Sequence, residues 1–275
     1  MVGCLGLSKR RACRIAGLRV SSYYYRTKRC DDPVLRKRIV ELAELRKRFG
    51  QFRIYLMLRR EGWTANHKRV ARIYREEQLQ VRRKRRKKMF SGVRKALPAP
   101  SVANERWSMD FVMDWTSGGR RIRVLTIVDD YTRECLAVEV DTSLGGTRVV
   151  RVLERLAEFR GKPKGITVDN GPEFAGRALD AWAYRNKVQL DFIRPGKPVE
   201  NCYIESFNGK FRDECLNVNE FGSLREAQAI IEVWKEDYNE RRPHTSLGQM
   251  TPAEFARSKE ERQLNPEKLT QQLLQ

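Results

Sequence analysis

The chain has 275 residues, 40% of them hydrophobic, and a formal net charge of +21. That apolar share can bury a core, which excludes wholesale disorder, and no stretch approaches the roughly eighteen uninterrupted apolar residues of a membrane helix. The charge is uneven: residues 1–97 hold 30 Lys/Arg against 7 Asp/Glu, and residues 98–275 hold 26 against 28. A basic segment joined to a near-neutral one points to a polyanion, and nucleic acid is the expected partner.

In chain order, residues 8–26 read as a short helix, a turn at Gly17 and a second helix start capped by Ser21 or Ser22. Asp32-Pro33 then places a capping residue before a first-turn proline. Leu35, Ile39, Leu42, Leu45 and Phe49 follow at helical spacing. A helix over 52–60 ends at Gly62, and Asn66 caps another whose apolar stripe is Val70, Ile73, Tyr74 and Leu79. Three short helices with basic outer faces suit a DNA-binding bundle, although a helical bundle with solvated Lys/Arg has the same periodicity. Seven consecutive cations, Arg82, Arg83, Lys84, Arg85, Arg86, Lys87 and Lys88, repel one another and make a poor packed face. With Pro98 and Pro100 behind them, they read as a connector able to lie along phosphates.

From Trp107 the pattern changes to strands: "WSMDFVMDW", "RIRVLTIVDD" and "ECLAVEV", with a Gly118-Gly119 turn after the first. A helix over 147–160 shows an apolar face of Val149, Val150, Val152, Leu153, Leu156 and Phe159. The strand "GITV", a helix from about 174 to 186 and the strand "VQLDFI" follow, then a helical stretch and an amphipathic helix over 223–240. The order βββαβαβ predicts an α/β fold with a mixed five-stranded sheet flanked by helices. The last twenty or so residues read as polar and peripheral.

Six cysteines without short paired spacing, and only His67 and His244 beside them, exclude a structural zinc site of the usual kind and fit reduced thiols in the cytoplasm. The chemistry sits in acids. Asp110 lies inside an apolar strand, a costly place for a charge unless it is paired or binds metal. Asp169 ends the strand "GITV" just before an Asn-Gly turn. If those two strands are neighbours, the carboxylates meet and make an oxygen-only site for a hard cation, Mg2+ or Mn2+. A third ligand is expected from "RPGKPVENCYIESFNGKFRDECLN", which offers Glu200, Glu205, Asp213 and Glu214. Glu205 shares a helical stripe with Asn201, Asn208, Gly209 and Arg212. That stripe reads equally as a wall facing a phosphate or as a solvated helix face. Asp129, Asp130 and Glu173 have ordinary turn or helix-start explanations.

Together, "WSMDFV", "VLTIVDDYTRECLAVEVDTS", "TVDNGPEF", "PGKPVENCYIESFNGKFRDECLN" and "DYNERRPHTSLGQMTPAEF" resemble the second-frame product of bacterial insertion-sequence transposases of the retroviral-integrase type, within the Asp-Asp-Glu superfamily. The likeness runs through essentially the whole chain, "RRACRIAGLRVSSYYYR" included. It selects Glu205, because 35 residues separate it from Asp169, whereas Glu200 would leave 30. Cys202 and Tyr203 stand where the family usually has a small residue and Phe.

The resemblance implies a ribonuclease-H-like core over 103–260. Before it would come a helix-turn-helix-like segment over 1–30, a basic helical DNA-binding region over 31–80 and a linker over 81–102, with a tail over 261–275 behind it. It implies that Asp110, Asp169 and Glu205 bind two divalent cations for 3′-end cleavage and strand transfer. Arg212, Lys210, Asn208, Lys197 and the run 82–88 are the expected DNA contacts. The partners implied are the element's terminal inverted repeats, target DNA, further copies of the chain and a first-frame product, with the protein on the bacterial nucleoid when DNA-bound. The alternative is a catalytically incomplete DNA-binding regulator or relic that needs that first-frame partner.

Overall fold

The computed structural model describes residues 6–25, 32–81, 99–194 and 201–264. The chain divides into two compact units, Met1–Arg38 and Ile39–Gln275.

In the first unit, α1 (Lys9–Ile15) is capped by the Ser8 side chain, and Gly17 turns the chain at a φ of 64°. The helix α2 (Val20–Tyr24) starts earlier than the sequence reading placed it. Its N-cap is Arg19, with no side-chain cap bond, so Ser21 and Ser22 lie within the helix. The helix α3 (Pro33–Leu45) crosses into the second unit, and Asp32 Oδ1 accepts from the Leu35 amide at 3.0 Å, as a capping aspartate should.

The second unit continues with α4 (Gln51–Arg60) and α5 (His67–Glu76), capped by Asn66 through the Lys68 amide at 2.9 Å. Ile39, Leu42, Phe49, Ile54, Leu58, Val70, Ile73 and Tyr74 are all buried. The Tyr74 hydroxyl donates to the Phe49 carbonyl at 3.0 Å, which meets the need of a buried phenol for a partner. Leu45, expected on the inner stripe, is 72% exposed.

The sheet comprises β1 (Arg106–Trp115), β2 (Arg121–Asp129), β3 (Cys135–Asp141), β4 (Gly165–Val168) and β5 (Gln189–Phe192), in the order β3-β2-β1-β4-β5. The first three strands are antiparallel neighbours, whereas β4 joins β1, and β5 joins β4, in parallel. This is the ribonuclease-H-like arrangement. The parallel joins need crossovers, supplied by α6 (Gly146–Arg160) and α7 (Arg177–Asn186). The latter begins three residues later than expected, because Phe174 is anchored in the core ahead of it.

Side-chain alternation divides the sheet into two cores. Trp107, Met109, Leu125, Ile127, Ile166 and Val168 pack with α6 and α7 residues such as Leu153, Leu179 and Trp182. Val112, Ile122, Val124 and Val140 pack with α8 (Cys202–Glu214) and α9 (Leu224–Glu240). On α9 the buried residues are Ala227, Ile231, Trp234 and Tyr238, the amphipathic stripe expected. A last helix, α10 (Pro252–Leu264), buries Ala253 and Ala256 and packs on α9, so part of the polar C-terminal stretch is structural. Phe159, at the end of α6, is 86% exposed despite its helical spacing.

Candidate active site

The parallel ladder between β1 and β4 pairs Arg106 with Gly165, Trp107 with Ile166 and Ser108 with Thr167. Asp110, on β1, and Asp169, the residue that follows β4, each lie two positions beyond that last pair. With a side-chain period of two, they project from the same face. It is the face covered by α8. Ile204, Phe207 and Phe211 are buried there, which sets the rotation of the helix and leaves Glu205 exposed along its outer edge.

One side chain of α8 returns to the sheet. Asn208 Nδ2 donates to Asp110 Oδ2 at 2.7 Å, and Thr126 Oγ1 donates to Asn208 Oδ1 at 3.0 Å. Thr126 is the β2 residue directly opposite Asp110. The other Asp110 oxygen accepts from the Phe111 amide at 2.7 Å. Asn208, expected as a DNA contact, therefore uses both ends of its amide inside the protein. That role was not legible in the sequence, since it depends on how α8 is rotated.

Burial pushes the Asp110 carboxyl up to about 6, and the negative fields of Asp169 and Glu205 add to the rise. The three carboxylates thus share one electrostatic neighbourhood. Among the described residues, no three His, Cys, Asp or Glu side chains are already gathered around one point. The donor set nevertheless fits a hard divalent ion. It is all oxygen, and a cation would offset both the burial and the repulsion that raise Asp110.

Asp169 sits on a braced turn. Its Oδ1 accepts from the Gly171 amide at 2.9 Å, and Asn170 Nδ2 donates to the Ile193 carbonyl at 2.8 Å. A Cβ on Gly171 would lie 2.9 Å from Asp169 Oδ1, so only glycine fits without moving the carboxylate. Further along, Arg123 pairs with Glu173 at 2.5 Å and lies over the Phe111 ring at 4.4 Å. Phe111 stacks on Phe174 at 5.0 Å. Arg123 holds the Glu173 carboxyl below the usual range.

The other acids have structural work. Asp129 is fully buried and accepts from the amides of Asn104, Tyr131 and Thr132. Asp130 accepts from Ser108 Oγ at 2.7 Å and Arg106 Nε at 2.8 Å. Tyr203, one of the atypical residues before the candidate glutamate, stacks under the Arg133 guanidinium at 3.8 Å. Asp213 and Glu214, weighed as third ligands, instead pair with Arg48 and Arg53.

Those pairs belong to a larger set. Arg46 pairs with Asp237 and Arg60 with Glu254, so side chains from the α3–α4 stretch anchor on α8, α9 and α10. Glu214 is shared with the buried Arg242, which makes a two-point contact at 2.6 Å through Nε and Nη2. Behind it, buried His244 lies edge-on to the Tyr238 ring at 4.7 Å. Its amide donates to the Met250 carbonyl at 2.9 Å and closes the "HTSLGQM" turn.

Of the expected DNA contacts, Arg212 is exposed near the Met113 carbonyl and Lys210 is half-buried with Nζ on Ser206 Oγ at 3.2 Å. Lys197, residues 82–88 and Glu200 lie outside the described residues. No described helix is long and apolar enough to cross a membrane.

Residues 100–198 and 186–252 match the Integrase core domain family, and residues 30–87 match an HTH-like domain. A 31.7 kDa protein of insertion element IS407 from Burkholderia multivorans is 51% identical over 253 residues, covering 92% of this chain and 91% of that protein. A 39.2 kDa protein of insertion element IS476 from Xanthomonas euvesicatoria is 47% identical over 262 residues, covering 94% of this chain and 75% of its own length. Among solved structures, the catalytic core domain of BIV integrase aligns with a TM-score of 0.46 at 16% identity, over 58% of this chain and 99% of that one. The chain belongs to the integrase core family and is one of its insertion-sequence transposases.

Proposed function

We propose that the protein carries out divalent-metal-dependent cleavage at the 3′ ends of its insertion sequence and transfers those ends to target DNA. Asp110, Asp169 and Glu205 would hold Mg2+ or Mn2+, as two ions in an oxygen-only site. When bound, such ions activate an attacking oxygen and relieve charge on the leaving one. The observation that carries this reading is the burial of Asp110 within the shared field of Asp169 and Glu205, under a helix whose outer edge is open.

The chain's own residues position the reaction. Asn208 holds Asp110 to one orientation, and the Gly171 amide does the same for Asp169. We assign Lys210 and Arg212, five and seven residues beyond Glu205 on α8, to contacts with phosphates. We assign residues 31–80 to recognition of the terminal inverted repeats, 81–102 to a basic linker along the DNA and 103–260 to catalysis, with 1–30 an accessory helical segment and 261–275 a tail. Two ends must be cut together, so the active form is a multimer on DNA, and a first-frame product could add DNA binding.

The test is metal-dependent nicking and joining of oligonucleotides that carry the element's ends. Asp169→Asn is expected to abolish both reactions while leaving DNA binding intact. Full activity in that variant would overturn the site assignment.

A further inference from the structure

The turn between β2 and β3 holds an arginine where a glycine would serve. Arg133 has a φ of 63°, in the left-handed region that glycine and asparagine occupy readily and a long side chain seldom enters. The turn around it is well braced. The Arg133 amide donates to the Asp129 carbonyl at 2.9 Å, and the Asp129 amide donates to the Glu134 carbonyl at 3.0 Å. Asp129 Oδ1 accepts from the amides of Tyr131 and Thr132, both at 2.8 Å. None of these bonds uses the Arg133 side chain, so the turn does not account for it.

That side chain reaches α8. Its guanidinium lies 3.8 Å from the centre of the Tyr203 ring, and Arg106 approaches the same ring at 6.0 Å. Among the described residues Arg133 forms no ion pair, and its Nη1 is buried without a hydrogen-bond partner. A guanidinium withdrawn from water with no carboxylate to meet is held instead by the ring face it covers.

The first turn of α8 lacks the usual anchor. Asn201 stands at the N-cap, but its side chain makes no cap bond and its Oδ1 is buried with no partner. A helix end without a side-chain cap opens more easily than a capped one. Phe207 and Phe211 bury the second and third turns, whereas the first turn is tied down by Ile204 and the Tyr203 ring. Glu205 belongs to that first turn.

Resting on the reading of Glu205 as a metal ligand, we propose that Arg133 is a positioning residue, which stacks on Tyr203 and thereby fixes the first turn of α8 and the backbone of Glu205. The β2–β3 turn then serves the third carboxylate as Asn208 and the Gly171 amide serve the first two. Arg133 acts through Tyr203 alone, and the ring, not its hydroxyl, carries the contact.

The test compares Arg133→Gly, Tyr203→Leu, their double variant and Tyr203→Phe in the full chain. Glycine suits the left-handed turn, so the hairpin should keep its fold, checked by unchanged amide hydrogen exchange in β2 and β3. Exchange of the amides of residues 205–208, measured without metal or DNA, should quicken about three- to thirtyfold in Arg133→Gly and Tyr203→Leu, the effect of losing one cation–π contact. The double variant should exchange no faster than either single one, and Tyr203→Phe should match the wild type. In the cleavage assay, the metal concentration for half-maximal rate should rise by a similar factor, with the DNA concentration for half-maximal rate unchanged. Wild-type exchange in Arg133→Gly, or effects that add in the double variant, would overturn the stack. A raised DNA requirement with unaltered metal dependence would make Arg133 a DNA contact and overturn the positioning role. The exchange result does not depend on chemistry; the metal-dependent reaction of the wild-type chain, measured separately, reports on the reading of Glu205 itself.

Discussion

Replacing His244 with glutamine should remove an acid-labile contribution to folding. The imidazole is buried against Tyr238, with Arg242 Nη1 at 3.4 Å from its Nε2. Burial first, then the charges of Arg242, Lys210 and Arg53, lower its pKa from 6.5 to about 2. As pH falls below about 6.5, the unfolded chain takes up a proton that the folded chain refuses. Stability therefore drops by about 1.4 kcal/mol per pH unit from this residue alone. By pH 5 the accumulated loss is about 2 kcal/mol. Buried carboxylates such as Asp130 and Glu134, whose pKa values are raised, shift the absolute curve in the opposite sense but are common to both proteins. Urea unfolding followed by tryptophan fluorescence, from pH 7.5 to 5, isolates the difference. The variant should start less stable by about 1 kcal/mol, for the lost ring contact. It should then gain on the wild type by about 2 kcal/mol as the pH drops. Parallel stability curves would refute the assignment of a neutral buried imidazole.

Two further outcomes bear on the site. Asn208→Ala removes the donor that orients Asp110, and the metal concentration for half-maximal cleavage should rise about ten- to a hundredfold, as for other partners of metal ligands. An unaltered metal dependence would mean that Asp110 needs no such support. The Arg123–Glu173 pair braces the turn that carries Asp169, so Arg123→Glu and Glu173→Arg should each depress cleavage, and the double exchange should restore part of it. Exchange without rescue would leave the ion pair with no role in positioning the turn.

The helices and strands were legible because their signals are local. Asp32-Pro33 and Asn66 mark helix starts through their own side chains, and strand alternation is a property of successive residues. Asp110 stood out in the sequence as a charge among apolar neighbours, and its raised pKa has that same burial as the first cause. The errors show the limit of periodicity. Leu45 and Phe159 fall on apolar stripes yet are 72% and 86% exposed. Spacing says which way a side chain points, not whether another element covers it there.

Charge counts are blind in a similar way. Arg46, Arg48, Arg53 and Arg60 contribute to the basic excess of the first third, but each is paired with an acid more than 150 positions away in the chain. A net charge sums residues without regard to partners.

By itself the sequence determined a mixed α/β chain, a basic first third and an acid at the end of the strand that closes on "DNG". The family motif spacing then singled out Glu205 over Glu200. Only the tertiary structure decided that β4 lies parallel against β1, which carries Asp169 to Asp110. It also decided the rotation of α8, which turns Asn208 onto Asp110 and leaves Glu205 exposed. The reason is physical: strand pairing and helix rotation are fixed by the burial of residues far apart in the chain, here Phe207 and Phe211 against Val112 and Val124, and no local pattern carries that choice.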